Sequence, residues 1–140
     1  MIGLVVVGHN GVPASLVKAL EQVAGPQESV AAICILADDD MEKRRDELLE
    51  LVRACDSGSG VVVLTDMFGG TPSNLALSIM GHARIEVLAG ANLPLLLKLA
   101  SVRNKPIDEA VRLAQEAGRK HIMVASQILS EQTPRRASGL

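Results

Sequence analysis

Two residues of this chain stand where their types could do chemistry together. His9 follows the uncharged run Ile2–Val7, inside the turn-like stretch Gly8-His9-Asn10-Gly11, and Asp66 follows a second uncharged run, Val61–Thr65. Runs of that length, rich in Val and Leu, read as buried strands. If the two strands are neighbours, His9 and Asp66 emerge side by side. A carboxylate that accepts the proton of one imidazole nitrogen fixes the tautomer and leaves a lone pair, a nucleophile, on the other. Just beyond Asp66, the sequence Gly69-Gly70-Thr71-Pro72 reads as a turn into a helix. The glycines supply backbone freedom, Thr71 is a good N-cap, and Pro72 suits the first helical position. A helix N-terminus directs free N–H groups and a positive dipole end at an anion. A nucleophilic imidazole, an orienting carboxylate and a phosphate-sized cradle together suggest a phosphohistidine carrier, with Gly69, Gly70 and Thr71 around the phosphoryl oxygens.

Other chemistries fit less well. A loop histidine is often merely solvated, and an aspartate before a helix often only caps a turn. The run Asp38-Asp39-Asp40 reads as a solvated cap for the helix that follows. Gly3, Gly8 and Gly11 do not make GxGxxG, no GxxxxGK[ST] is present, and Ser15 and Ser73 lack a GxSxG elbow. A receiver-like switch phosphorylated on Asp66, with Lys105-Pro106 further along, is the competing class, but its acidic pair should follow strand one, not strand two. A non-catalytic module holding a small anion in the same loop is a third. Acyl phosphates are labile to base and phosphohistidine to acid, which separates the first two.

The elements that must position these groups alternate along the chain. After the first strand, Pro13 opens an amphipathic helix with Leu16, Val17, Leu20 and Val23 on one face, stopped at Gly25-Pro26. Val30–Ala37 is a second strand, and Met41–Cys55 a helix with Leu48, Leu49 and Val52 inward. The third strand leads into a helix from Pro72 to about Gly81. Arg84–Ala89 is a fourth strand, followed by a helix around Pro94–Leu99 and another over Pro106–Ala117, ended by Gly118. His121–Ser126 reads as a short final strand, and residues 130–140 as a polar tail expected to be disordered. Strand–helix alternation predicts one α/β domain over residues 1–129, an open, mostly parallel sheet with right-handed crossovers and ligands beyond the carboxyl ends of the strands.

Composition agrees. The chain has 140 residues, 48% hydrophobic and 21% charged, with one Phe and neither Trp nor Tyr, so its core must be aliphatic. The lack of stacking rings and the net charge of −2 argue against nucleic acid as a partner. Cys34 and Cys55 are too few and too far apart for a disulfide scaffold or a metal site, and Cys34, inside an apolar run, is expected to be a buried thiol. The start lacks a signal peptide's basic region and no run is long enough to span a bilayer, so a cytoplasmic protein without membrane insertion is expected.

On these motifs the chain resembles the IIA domain of the mannose family of the bacterial phosphoenolpyruvate-dependent sugar phosphotransferase system. The resemblance runs from Met1 to about Leu129 and rests on His9, on TDMFGGTPSN from Thr65 to Asn74, and on IEVLAGANLPLLLKL from Ile85 to Leu99. It implies a phosphotransferase that takes a phosphoryl group from phospho-HPr onto His9, with Asp66 as the histidine's partner and Gly69, Gly70 and Thr71 holding the phosphoryl oxygens. It also implies transfer to a separate IIB component, in sugar uptake or regulation, with no cofactor and no metal. The implied fold is a sheet of order 2-1-3-4 with helices on both faces and an antiparallel fifth strand, exchanged in a homodimer. One departure concerns the loop: members of the family often have Gly directly after the histidine, where this chain has Asn10.

Overall fold

The computed structural model describes residues 1–82 and 84–132. In chain order it contains β1 (Gly3–His9), α1 (Val12–Ala24), β2 (Val30–Ile35), α2 (Met41–Cys55), β3 (Val61–Thr65) and α3 (Gly70–Ser78). β4 (Ile85–Ala89), α4 (Leu93–Ser101), α5 (Ile107–Lys120) and α6 (Ala125–Gln132) follow. The strands form one sheet in the order β2-β1-β3-β4, every pair parallel. The fold is therefore α/β, with the expected strand order.

Alternation along the strands divides the core into two layers. Val5, Val7, Val61 and Val63 face α2 and α3, meeting Leu48, Val52, Leu75 and Ala76. Leu4, Val6, Val62 and Leu64 face α1, α4 and α5, meeting Leu20, Leu96, Leu99 and Ala110. Both central strands are thus buried on each face, as their unbroken apolar runs require. Register carries this to the site: Thr65, the last residue of β3, pairs with Val7, and β1 runs on past it to His9, which pairs with Ile35 of β2.

At the opposite end of the sheet the buried Arg103, after α4, ties three segments together. Its guanidinium donates to the carbonyls of Ile2 (2.8 Å) and Ser29 (3.1 Å) and to Oε1 of Gln27 (3.2 Å), while the Ile2 N–H returns a bond to the Arg103 carbonyl (2.9 Å).

Several local expectations are corrected. β2 stops at Ile35 rather than Ala37 because the Asp39 carboxylate takes the Leu36 N–H (2.8 Å) and turns the chain. On this edge strand Cys34 is only partly buried. Val23, expected on the inner face of α1, is 64% exposed in its last turn. Gly118 does not end α5, which runs on to Lys120. The glycine lets α5 lie close to α4, for a Cβ there would come within 3.1 Å of the Leu95 side chain. Asn92 joins the two helices by capping Leu95 N–H and donating to the Gly118 carbonyl.

The longer α5 displaces the expected final strand. His121 becomes its C-cap residue, Ile122–Val124 are irregular, and α6 begins at Ala125. No fifth strand joins the sheet among the described residues. Ile122, Met123 and Val124 are exposed and pair with no strand of the sheet. Ser130–Gln132, expected in the tail, are helical, and the remainder of that tail lies outside the described residues. Among the described residues no helix is long and apolar enough to cross a membrane.

Candidate active site

His9 is the last residue of β1, and Asp66 the first after β3. Asp66 Oδ2 accepts the main-chain N–H of His9 at 2.8 Å and stands 2.9 Å from Nδ1 of the same ring. Asp66 Oδ1 accepts the Met67 N–H at 3.0 Å. The Asp66 side chain is only 14% exposed, whereas that of His9 is 49% exposed. Burial pushes the Asp66 carboxyl up, but the bonds from the His9 main chain and ring, the charge of His9 and the Met67 N–H outweigh it. The carboxyl is held below the ordinary aspartate value. With Asp66 ionised it can only accept, so the neutral form of the ring is the one with its proton on Nδ1 and its lone pair on Nε2.

Nε2 faces the start of α3: a Cβ built on Gly70 would lie 3.7 Å from it. Gly69 (φ 90°, ψ 161°) and Gly70 (φ 81°) both take conformations that side-chain-bearing residues avoid. This shifts the helix start upstream of the expected one. Gly69 is the N-cap, Gly70 the first helical residue, Thr71 the second and Pro72 the third. Thr71 is therefore not the N-cap and Pro72 not the first residue. Among the described residues no side chain caps α3, so there the opening N–H groups at Gly69, Gly70 and Thr71 lack the acceptor that a capping residue supplies.

Sequence reasoning missed the role of Gly8 and left open what Asn10 does to the loop. Gly8 passes so close to Asp66 that a Cβ would lie 2.8 Å from Oδ2 and 3.1 Å from Pro13 Cγ. Asn10 has φ 46°, in the left-handed region where Asn is among the few tolerated non-glycine residues. Asn10 thus sits in a backbone region that glycine would also tolerate. Of the acidic run, Asp40 caps α2 as expected through the N–H groups of Glu42 and Lys43, whereas Asp39 holds the Leu36 N–H and pairs with Arg44.

Two grooves flank the site, and His9 lines neither. One, of about 410 Å³, lies between α2 and α3 and includes Met41, Arg45, Thr71 and Asn74. The other, of about 330 Å³, runs past Phe68, Val87, Ala89 and Ile122 at the free side of β4. Around His9 itself the surface is open, with Met67 and Phe68 54% and 74% exposed.

Comparison with known proteins bears on the family and the fold. Residues 3–115 match the family model EIIA-man, described as the PTS system fructose IIA component. The chain belongs to the EIIA-man family. This EIIA-man chain is 32% identical over 124 residues to the PTS system mannose-specific EIIAB component of Escherichia coli K12, covering 86% of the chain and 38% of that protein. It thus spans about two fifths of that relative's length. It is 28% identical to the PTS system fructose-specific EIIA component of Bacillus subtilis, covering 74% of the chain and 71% of that protein. Among solved structures, the phosphotransferase system component EIIA from Streptococcus agalactiae superposes with a TM-score of 0.81 at 29% identity, over 91% of this chain and 99% of that one. The mannose/sorbose-specific IIA subunit from Enterococcus faecalis (TM-score 0.78, 22% identity, 88% and 93% covered) shares the fold.

Proposed function

We propose that this EIIA-man protein is a phosphocarrier that accepts a phosphoryl group from phospho-HPr on Nε2 of His9 and passes it to a IIB component. One observation carries the reading: Asp66 engages Nδ1 while Nε2 is turned toward Gly70 at the uncapped start of α3. In the transfer, the donor's N–P bond breaks as an N–P bond to His9 Nε2 forms, and the proton on Nδ1 stays on the ring, hydrogen-bonded to Asp66. The N–H groups of Gly69, Gly70 and Thr71 hold the phosphoryl oxygens, whose charge the helix dipole favours. The open surface around His9 suits a donor carried on another protein, since a small molecule would call for an enclosing pocket.

A phosphoaspartate at position 66 is disfavoured because both its oxygens are engaged, Oδ1 by Met67 and Oδ2 by His9. The reading includes a cytoplasmic homodimer. The free side of β4, with the exposed Ile122–Val124 segment beside it, supports pairing between two copies.

The test is incubation with phosphoenolpyruvate, enzyme I and HPr, followed by intact mass and site mapping. The expected result is one phosphoryl group on His9, acid-labile and alkali-stable, and none on His9→Ala. An unlabelled protein in the presence of active phospho-HPr, or a labelled His9→Ala, overturns the proposal.

A further inference from the structure

We infer that Thr65 is a positioning residue for His9, acting through Met67 and Asp66. Thr65 is fully buried at the end of β3, and its hydroxyl donates to the Met67 carbonyl at 3.1 Å. Its own carbonyl accepts the Ala91 N–H at 2.9 Å, so the residue is fixed to the sheet on its backbone side as well. The Met67 peptide groups are thereby held from two directions, the carbonyl by Thr65 and the N–H by Asp66 Oδ1. That leaves Asp66 Oδ2 aimed at the main chain and ring of His9.

Among the described residues little else holds this loop. Met67 and Phe68 are exposed, so packing does not anchor them. A buried hydroxyl needs a partner, and here the partner is the turn that carries the orienting carboxylate. Freed from Thr65, the Met67–Phe68 peptide unit is no longer pinned, Met67 can turn about its φ and ψ, its N–H can leave Oδ1, and the carboxylate can turn away from Nδ1. The ring would then lose the bond that selects its tautomer.

The inference rests on the proposed function only for its kinetic readout. The first measurement is the nitrogen NMR of the unphosphorylated His9 ring at alkaline pH, where histidines are neutral. The wild-type protein is expected to show the Nδ1–H tautomer alone, Thr65→Val a mixture with Nε2–H, and Thr65→Ser the wild-type pattern. Transfer from phospho-HPr is expected to fall about tenfold in Thr65→Val and to stay within about twofold in Thr65→Ser. Thr65→Ala serves if the valine variant does not fold. A wild-type ring without the Nδ1–H tautomer, a single Nδ1–H tautomer in the variant lacking the hydroxyl, or no rescue by serine overturns the inference. A wild-type protein that takes no phosphate would sink the carrier reading and leave the ring measurement to decide this one.

Discussion

Asp66 Oδ2 meets His9 twice, accepting its main-chain N–H at 2.8 Å and lying 2.9 Å from ring Nδ1. The bond to the main chain locates the carboxylate against β1, and the contact with the ring sets which nitrogen is left basic. The two are separable by substitution.

Asp66→Asn offers an amide that can present either its oxygen or its NH₂ to Nδ1, so the ring can be held in the wrong tautomer. Transfer to His9 is expected to slow by about a hundredfold or more, by analogy with orienting carboxylates in other enzymes. Rapid-quench measurement with phospho-HPr checks this, and a rate equal to wild type would remove the orienting role.

The same pair predicts a pH dependence of stability. Burial pushes the folded Asp66 carboxyl up, the bonds from His9 outweigh that push, and the carboxyl lies below its ordinary value. A depressed carboxyl contributes stability that is complete above the unfolded value, about 3.9, and is lost as pH falls through the folded one. Urea unfolding of wild type and Asp66→Asn should therefore differ by about 1–2 kcal/mol at neutral pH. The gap should narrow only below about pH 4.

Gly8→Ala would place a methyl 2.8 Å from Asp66 Oδ2. The carboxylate must move, so transfer is expected to fall together with stability, the latter by about 1–3 kcal/mol. Loss of the downfield Nδ1 proton signal in NMR would accompany it; an unchanged signal with unchanged transfer would contradict the close approach.

At Asn10, whose φ is 46°, Gly should be nearly neutral and Val should cost about 1–2 kcal/mol. Thermal unfolding of the two variants decides this. Equal stabilities would mean that the loop does not need the left-handed conformation.

Arg103→Leu removes three hydrogen bonds without leaving a buried charge. It is expected to lower stability by about 2–4 kcal/mol. Phosphoryl transfer by the fraction that remains folded should be unchanged.

Much of this architecture is legible in the order of the amino acids. The apolar runs of β1 and β3 have one reading, and α2 falls at Met41–Cys55 because Asp40 caps it and its apolar spacing is regular. His9 and Asp66 stand out as the polar residues at the ends of those runs, and parallel pairing brings them together. What is not legible depends on contacts or dihedrals. Two consecutive positive-φ glycines move the start of α3 ahead of Thr71, although Thr-Pro is the stronger local signal. Gly118 looks like a helix stop until Leu95 is packed against it. The segment at His121–Ser126 has strand composition, but composition cannot supply a neighbour to pair with.

Arg103 ties the amino end of β1, and His9 occupies its carboxyl end. About 20 Å of buried strand separates them. Substitutions that far apart, with no shared partner, combine without interfering. Heat tolerance of this chain can thus be tuned at one pole of the sheet without disturbing the His9 site at the other.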